Sequence, residues 1–427
     1  MTYNINHADI FEWAKNYKGE PFDAVLCDPP YELGFMGKSW DSTGIAFNKD
    51  MWEAVFNILK PGGHLLAFSG SRTYHRMAVA IEDAGFEIRD MIEWVYGSGF
   101  PKSLNIGKAV DKIQGNERED LGEHIQNKTN PDSKNRSWQS EDGVGNKWNL
   151  SKGTSPYEGY GTALKPAHEP CVLARKPIEG TVANNVLNHG TGGLNIDGSR
   201  ITSELPENRQ RHGGGLHSDK IGQLDPKAIS TMPSGRFPAN LIHDGSDEVV
   251  GLFPDTKGQY GGKGKAANSK SGKYGWNNSK EEVNNRGATQ GISDSGSAAR
   301  FFYTAKASKS ERNAGLEGFG DKATHRFGAG IGEGLDPNAP SYDKNHHPTV
   351  KPLSLTKYLA NLIKPPTGGR LLVPFSGSGS EMIGALQAGW EHVEGVELTE
   401  EYIPIAEARI KYWTSIIETE SEQVSLL

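Results

Sequence analysis

Cysteine is nearly absent from this chain of 427 residues, which carries Cys27 and Cys171 alone. Two cysteines make neither a disulfide framework nor a zinc site. Long apolar runs are missing too. No stretch of 18 apolar residues occurs, so nothing reads as a membrane span, and the mean hydropathy is -0.60. The start, Met1-Thr2-Tyr3-Asn4, lacks the charged-then-apolar pattern of a secretory signal. The expectation is a cytoplasmic protein. An excess of positive charge is lacking as well: 46 Lys+Arg against 53 Asp+Glu leave a net charge of -7. The sum hides a gradient. Residues 101–350 hold 32 basic and 29 acidic residues, a balance of +3, whereas the remainder holds 14 and 24, a balance of -10. The middle of the chain is the electropositive part.

Glycine is abundant, at 53 residues, about 12% against a typical ~7%. The length suits one large domain with a substantial insertion. Residues 1–100 alternate between strand and helix patterns. Strands are expected at Tyr3–Ile5, Phe22–Cys27, His64–Phe68 and Phe86–Val95, and an amphipathic segment at Ile10–Tyr17. Helices are expected at Asp50–Leu59, with Asp50 as cap and Lys60-Pro61-Gly62-Gly63 as stop, and at Arg72–Ala84. From 113 to 162 the pattern dissolves into polar residues; Cys171–Ala174 is one further strand. Residues 180–345 are rich in Gly, Asn, Ser and Lys but hold core-like islands, as at Phe237–Ile242 and Ala299–Tyr303. Such islands point to an ordered, loop-rich region. Regular pattern returns with a helix at Thr356–Ile363, a strand at Arg370–Val373, a helix at Glu381–Ala388 and a strand at Val393–Glu397. Neither end has enough strands for an open sheet, so one α/β sheet assembled from both ends is the economical fold.

Two constellations carry chemistry. The first is Asp28-Pro29-Pro30-Tyr31, directly behind the apolar run Ala24–Cys27. Prolines lock the turn, the carboxylate accepts hydrogen bonds and the ring offers a stacking face, a set that suits a flat, amino-bearing ring. The same four residues also suit a plain strand-ending turn. The second is Phe375-Ser376-Gly377-Ser378-Gly379 between strand and helix, with Glu397 closing the next strand. Glycines let backbone amides approach a ligand, and an acid 20 residues on is placed to accept ribose hydroxyls. Met382 stands where a third glycine of the dinucleotide fingerprint would fall, which favours S-adenosyl-L-methionine over NAD.

Together these motifs resemble the amino-group (N6-adenine/N4-cytosine) DNA methyltransferases, in the permuted order where the tetrad precedes the cofactor loop. The matching segments are Asp28-Pro29-Pro30-Tyr31, His347-Pro348-Thr349-Val350-Lys351-Pro352 and Pro374-Phe375-Ser376-Gly377-Ser378-Gly379, with Lys60–Gly63 and Glu169-Pro170 in support. The segments 190–200, 236–245 and 297–309 are similar to methylases carried by bacteriophages and prophages. The resemblance implies a Rossmann-like S-adenosylmethionine-dependent sheet with helices on both faces. Its catalytic half would be 1–112 and 165–179, its cofactor half 346–427, with a polar insertion at 113–164 and target recognition at 180–345. It implies that Asp28 and the Pro29 carbonyl accept hydrogen bonds from the target amino group, and that Pro30 and Tyr31 complete the base site. Asp9 would contact the cofactor adenine, Glu397 its ribose, and Phe375, Gly377 and Gly379 would form its pocket, with Thr349 and Lys351 closing the methionine end. The family usually has an acid where this chain has Val373, and Glu381 is the candidate replacement.

Asp in the first tetrad position implies adenine in double-stranded DNA; N4-cytosine is the alternative. Methylation of RNA or of a protein amide, or an inactive DNA-binding relative, also remain open. Lys263, Lys265, Lys270, Lys273, Tyr274 and Trp276 form a basic-aromatic stretch that suits phosphates and bases, and equally a solvated loop. Cys171 reads as core, and His346 and His347 as part of a turn rather than metal ligands. No metal is expected, and no nuclease motif is evident.

Overall fold

In a computed structural model of the chain, the described residues are all but 34–38, 98, 100–102, 126–146, 202–234, 257–294, 306–307, 325–340 and 426–427. The first part runs β1 (Thr2–His7), α1 (Ile10–Asn16), β2 (Phe22–Cys27), α2 (Lys49–Asn57), β3 (Leu59–Phe68), α3 (Tyr74–Asp83) and β4 (Glu87–Val95). The middle adds α4 (Ile106–Gln114), the antiparallel pair β5 (Glu119–Ile125) and β6 (Lys147–Lys152), β7 (His168–Arg175) and α5 (Val182–His189). Short pieces follow: β8 (Leu241–His243), α6 (Asp247–Val250), β9 (Asp255–Thr256), β10 (Gly296–Ser297), β11 (Tyr303–Thr304), α7 (Lys309–Asn313), β12 (Lys322–Thr324) and β13 (Ser341–Asp343). The last part is α8 (Leu353–Leu362), β14 (Arg370–Pro374), α9 (Ser380–Gln387), β15 (His392–Glu397) and α10 (Ile403–Ser425).

Among the described residues, nine strands form one sheet in the order β1-β15-β14-β2-β3-β7-β4-β8-β11. The two ends of the chain meet in parallel at β2 and β14, with Ala24 opposite Leu371 and Val25 opposite Leu372. Side chains alternate across this seam. Ala24, Leu26, Leu371 and Val373 face the layer of α8 and α9, whereas Phe22, Val25, Cys27 and Leu372 face α1, α2 and α3. Helices therefore cover both faces, as central parallel strands require. Gly384 lets α9 press onto α8: a Cβ there would lie 2.3 Å from Thr356 Oγ1.

Three expectations are corrected. The cap of α2 is Asn48, whose Oδ1 accepts from Asp50 N at 2.9 Å and Met51 N at 3.3 Å; Asp50 lies inside the first turn, beyond reach of those orphan amides. Lys60–Gly63 does not separate helix from strand but lies within β3, where the register against β2 shifts between Phe22 and Ala24 and Gly62 takes a φ of +78°. The sheet is also not built from the two ends alone, because β8 and β11, from the 180–345 region, extend it beyond β4.

The seam is pinned by Asp23, 3% exposed in β2. One carboxylate oxygen accepts from Arg370 N at 2.7 Å and the other from Lys60 Nζ at 2.7 Å. Asp23→Ala leaves a part-buried backbone amide at the head of β14 without an acceptor. It should cost about 2 kcal/mol of stability, read as a lower urea midpoint; an unchanged midpoint would show that the seam does not depend on this bond.

Candidate active site

The exits of β2 and β14 diverge. From β2 the chain passes through α2 to β3 on one side, and from β14 through α9 to β15 on the other. Adjacent strands with diverging exits leave a crevice at their carboxyl ends. A cavity of about 1010 Å³ lies there, lined by Asp28–Tyr31 after β2, Phe375–Ser378 after β14, and Glu397 at the end of β15. Strand β7 runs antiparallel to β3 and β4, so its beginning reaches this edge and brings Glu169 to the same cavity.

A chain of polar contacts crosses the tetrad. Lys351 Nζ donates to Asp28 Oδ2 at 2.6 Å and to Tyr31 OH at 3.0 Å. Tyr31 OH donates to Glu169 Oε2 at 2.8 Å, which also lies 3.2 Å from Lys351 Nζ. Phe68 adds a ring whose centroid is 4.8 Å from the ammonium. Burial pushes the Asp28 carboxyl up, against the pull of Lys351. Burial likewise opposes the Lys351 ammonium, but Asp28 and Glu169 outweigh it and hold its pKa above the usual value. Asp28 Oδ1 remains buried with no hydrogen-bond partner. The turn itself is braced: Thr73 Oγ1 donates to the Tyr31 carbonyl at 2.8 Å, and the Asp41 carboxylate accepts from Glu32 N and Leu33 N.

Across the cavity, the glycine loop is held in an unusual shape. Phe375 has a φ of +58° and Gly377 of +50°. A Cβ at 377 would lie 2.7 Å from His347 Nε2, so the imidazole packs where a side chain would stand. That ring donates from Nδ1 to the Thr349 carbonyl at 2.5 Å, and burial holds its pKa down at about 3, leaving it neutral. Glu397 braces the loop from below: its two oxygens accept from Gly377 N at 2.7 Å and Thr399 N at 2.8 Å. Each oxygen keeps lone-pair capacity for a further donor.

The structure gathers most of the expected residues. Asp9 lines the cavity while capping α1, its Oδ1 accepting from Phe11 N and Glu12 N. Thr349, Lys351, Phe375, Gly377, Glu381 and Glu397 line it too. Lys351 stands on the tetrad itself, in ion-pair contact with Asp28. Gly379, expected in the pocket wall, is instead the left-handed cap of α9, packed against Ala406 and Ile410. Cys171 is buried in β7, and burial pushes its thiol well up. The stretch with Lys263, Lys265, Lys270, Lys273, Tyr274 and Trp276 lies outside the described residues. Sequence reasoning noted Glu169 only as a motif neighbour and missed Tyr96, which shares the cavity. The signal was faint: an acid just ahead of a buried strand means nothing until that strand is known to run antiparallel.

A model of the DNA methylase family N6_N4_Mtase matches residues 22–408. The chain belongs to that family. Among curated relatives, it is 29% identical over 107 residues to the type II methyltransferase M2.LlaDCHI of Lactococcus lactis subsp. cremoris, covering 21% of this chain and 39% of that protein. It is 27% identical over 122 residues to M.HpaI of Haemophilus parainfluenzae, covering 26% and 38%. The chain thus spans about two fifths of the length of these relatives. Solved structures that align include the cytosine-N4-specific PvuII DNA methyltransferase (12% identity, 97% of this chain and 91% of that one, TM-score 0.42). Another is TTHA0409 of Thermus thermophilus in complex with S-adenosyl-L-methionine (13% identity, 96% and 94%, TM-score 0.37). Among the described residues no helix is long and apolar enough to cross a membrane, and no group of three or more His, Cys, Asp or Glu could hold a metal ion.

One acid of this cavity is shifted toward neutrality. Glu381, 4% exposed, is pushed up to about 7 by burial and by Asp28, against Lys351 and Arg409. An acid whose folded pKa exceeds its unfolded value stabilises the fold while protonated. That contribution is full below about 4.5, its ordinary value, and is lost as pH rises through about 7. Glu381→Gln stays neutral throughout, so it should gain on the order of 3 kcal/mol over the wild type between about pH 5 and pH 8, measured by urea denaturation at each pH. An equal gap at both would contradict the assignment.

Proposed function

We propose that this protein transfers a methyl group from S-adenosyl-L-methionine to the exocyclic amino group of adenine in double-stranded DNA. The observation that carries the reading is the buried, unpartnered Oδ1 of Asp28, a residue in the wall of a cavity that a left-handed glycine loop also lines. A buried acceptor without a donor is costly unless a ligand supplies one.

The cavity fits such a cofactor. Asp28, Glu169 and Glu381 surround a single ammonium, Lys351, so the floor favours a cation. Glu397 and the Gly377 loop suit a ribose, Asp9 an adenine, and Glu381 takes the part of the acid absent at Val373. When bound, S-adenosylmethionine supplies an electrophilic methyl group on a sulfonium sulfur.

Asp28 Oδ1 and the Pro29 carbonyl accept hydrogen bonds from the two amino N–H groups. An aromatic amine is a poor nucleophile because its lone pair is delocalised into the ring. Two fixed acceptors draw the nitrogen toward tetrahedral geometry and restore that lone pair. Asp28 Oδ1 is also the acceptor in place for the proton the nitrogen must lose, and burial has raised its basicity for that task. Lys351, on Oδ2, keeps the carboxyl ionised and its plane fixed. Tyr31, held by Glu169 and Thr73, presents its ring to the base, which must leave the duplex to arrive. Asp rather than Ser in the first tetrad position favours adenine over cytosine.

Asp28→Ala should lower methyl transfer to DNA by about a hundredfold or more with an unchanged circular dichroism spectrum, since Lys351 retains Glu169. A variant that keeps its activity would sink the mechanism. Single-molecule sequencing of DNA from expressing cells should show N6-methyladenine; N4-methylcytosine would transfer the same chemistry to the other base, and no modified base would remove the DNA reading. Lys351→Met removes the main opposition to burial at Asp28, so the acid limb of the activity profile should move to higher pH. A limb that stays in place would deny Lys351 its role.

A further inference from the structure

We propose that Leu164 is the wedge that enters the duplex where the target base leaves it. The proposal rests on the DNA reading given above and adds the surface that opens the substrate. Asp28 Oδ1 is buried, so a base still paired in a helix cannot reach it. Extruding that base costs stacking and pairing, and an apolar side chain inserted into the gap offsets part of that cost.

Leu164 is 93% exposed, the most exposed large hydrophobic among the described residues, yet it lines the cavity that holds Asp28 and Tyr31. It therefore stands at the mouth with its side chain in solvent. The loop that carries it is pinned on both sides. Ahead of it, the Tyr160 carbonyl accepts from Ile106 N at 3.0 Å, Gly161 bridges Asn105, and Ser103 Oγ accepts from Thr162 N at 2.9 Å and Ala163 N at 3.2 Å. Behind it, the Ala167 carbonyl accepts from Tyr96 N at 2.9 Å. Only Leu164-Lys165-Pro166 projects between these anchors, and Pro166 stiffens it. A leucine presented on an anchored loop loses little further freedom when it inserts.

The charges around it are ordered as a flipped base requires. Lys165 and Arg72 share the cavity rim, while Asp28, Glu169 and Glu381 lie within. Cations outside suit phosphates and acids inside suit an amino group. Tyr157 and Tyr160, half-exposed and edge-to-face at 5.9 Å, offer further apolar surface a few residues ahead of Leu164.

The test compares two duplexes in the context read out by sequencing, one with the target base paired and one with it opposite an abasic site, where extrusion is cheap. With Leu164→Ala, methyl transfer to the paired duplex should fall at least about tenfold, with less than about a twofold change on the abasic-opposed duplex. Leu164→Met should restore the paired rate. Equal losses on both duplexes, or no loss on either, overturn the wedge while leaving the methylase reading intact. A wild-type protein that methylates neither duplex overturns that reading and the wedge with it.

Discussion

The site depends on one buried ion pair. Lys351 and Asp28 are 323 positions apart in sequence, and their Nζ and Oδ2 stand 2.6 Å apart. They meet because α8, which follows Lys351, packs on the face of the sheet where β2 and β14 lie side by side. The effect of the pair is on protonation more than on stability. Burial pushes the Asp28 carboxyl up and would push the Lys351 ammonium down. Alone, each would neutralise at the expense of its chemistry; together they stay charged, and Oδ1 stays an acceptor. Buried pairs contribute little net stability, which makes the retained charge state the more telling consequence.

The rest of the architecture delivers groups to that pair. Parallel strands end at one edge and supply Asp28, Phe375 and Glu397 there; the antiparallel β7 supplies its first residues instead, hence Glu169. Of the two described non-glycine residues with positive φ, Glu32 and Phe375, Phe375 lines the cavity and Glu32 sits between two residues that do, Tyr31 and Leu33. One follows Tyr31 directly, and the other opens the glycine loop. Each such conformation costs of the order of 1–3 kcal/mol and persists only where its surroundings over-determine it. The Asp41 carboxylate on the Glu32 and Leu33 amides, and His347 with Glu397 on the loop, are those surroundings.

Much of this was legible in the sequence, because the informative residues are local. Asp28–Tyr31 follows an apolar run that could only be a buried strand, and Phe375–Gly379 with Glu397 repeats strand, loop, helix, strand within a few tens of residues. Where the reading failed, the cause was local in one case and tertiary in the others. Asp50 looks like a cap until Asn48, two residues earlier, is seen to reach the free amides. Lys60–Gly63 reads as a stop signal, but Gly62 serves a register shift within β3. The strands β8 and β11, which overlap the islands at Phe237–Ile242 and Ala299–Tyr303, are too short to declare themselves as sheet strands, since their pairing with β4 and with each other is set by tertiary contacts. Glu169 and Gly379 erred in opposite directions: one acid joins the site through strand direction, and one glycine leaves it through helix packing.

The same logic bears on Val373. Its side chain is fully buried in the layer with Leu371, Met382 and Ile383, so the strand contributes packing at that position and no charge. The cavity is nonetheless not short of acid, because the first turn of α9 contributes Glu381. A carboxyl there differs from one on a strand end in one physical respect. It is buried deeply enough, and close enough to Asp28, to titrate near 7, where an ordinary carboxylate would be charged throughout. An ammonium or sulfonium group arriving beside Glu381 would lower that value by favouring the ionised form. By linkage, binding a cation there and releasing a proton would become one event, so the proposed cofactor site would bind a sulfonium more tightly as pH rises through neutrality.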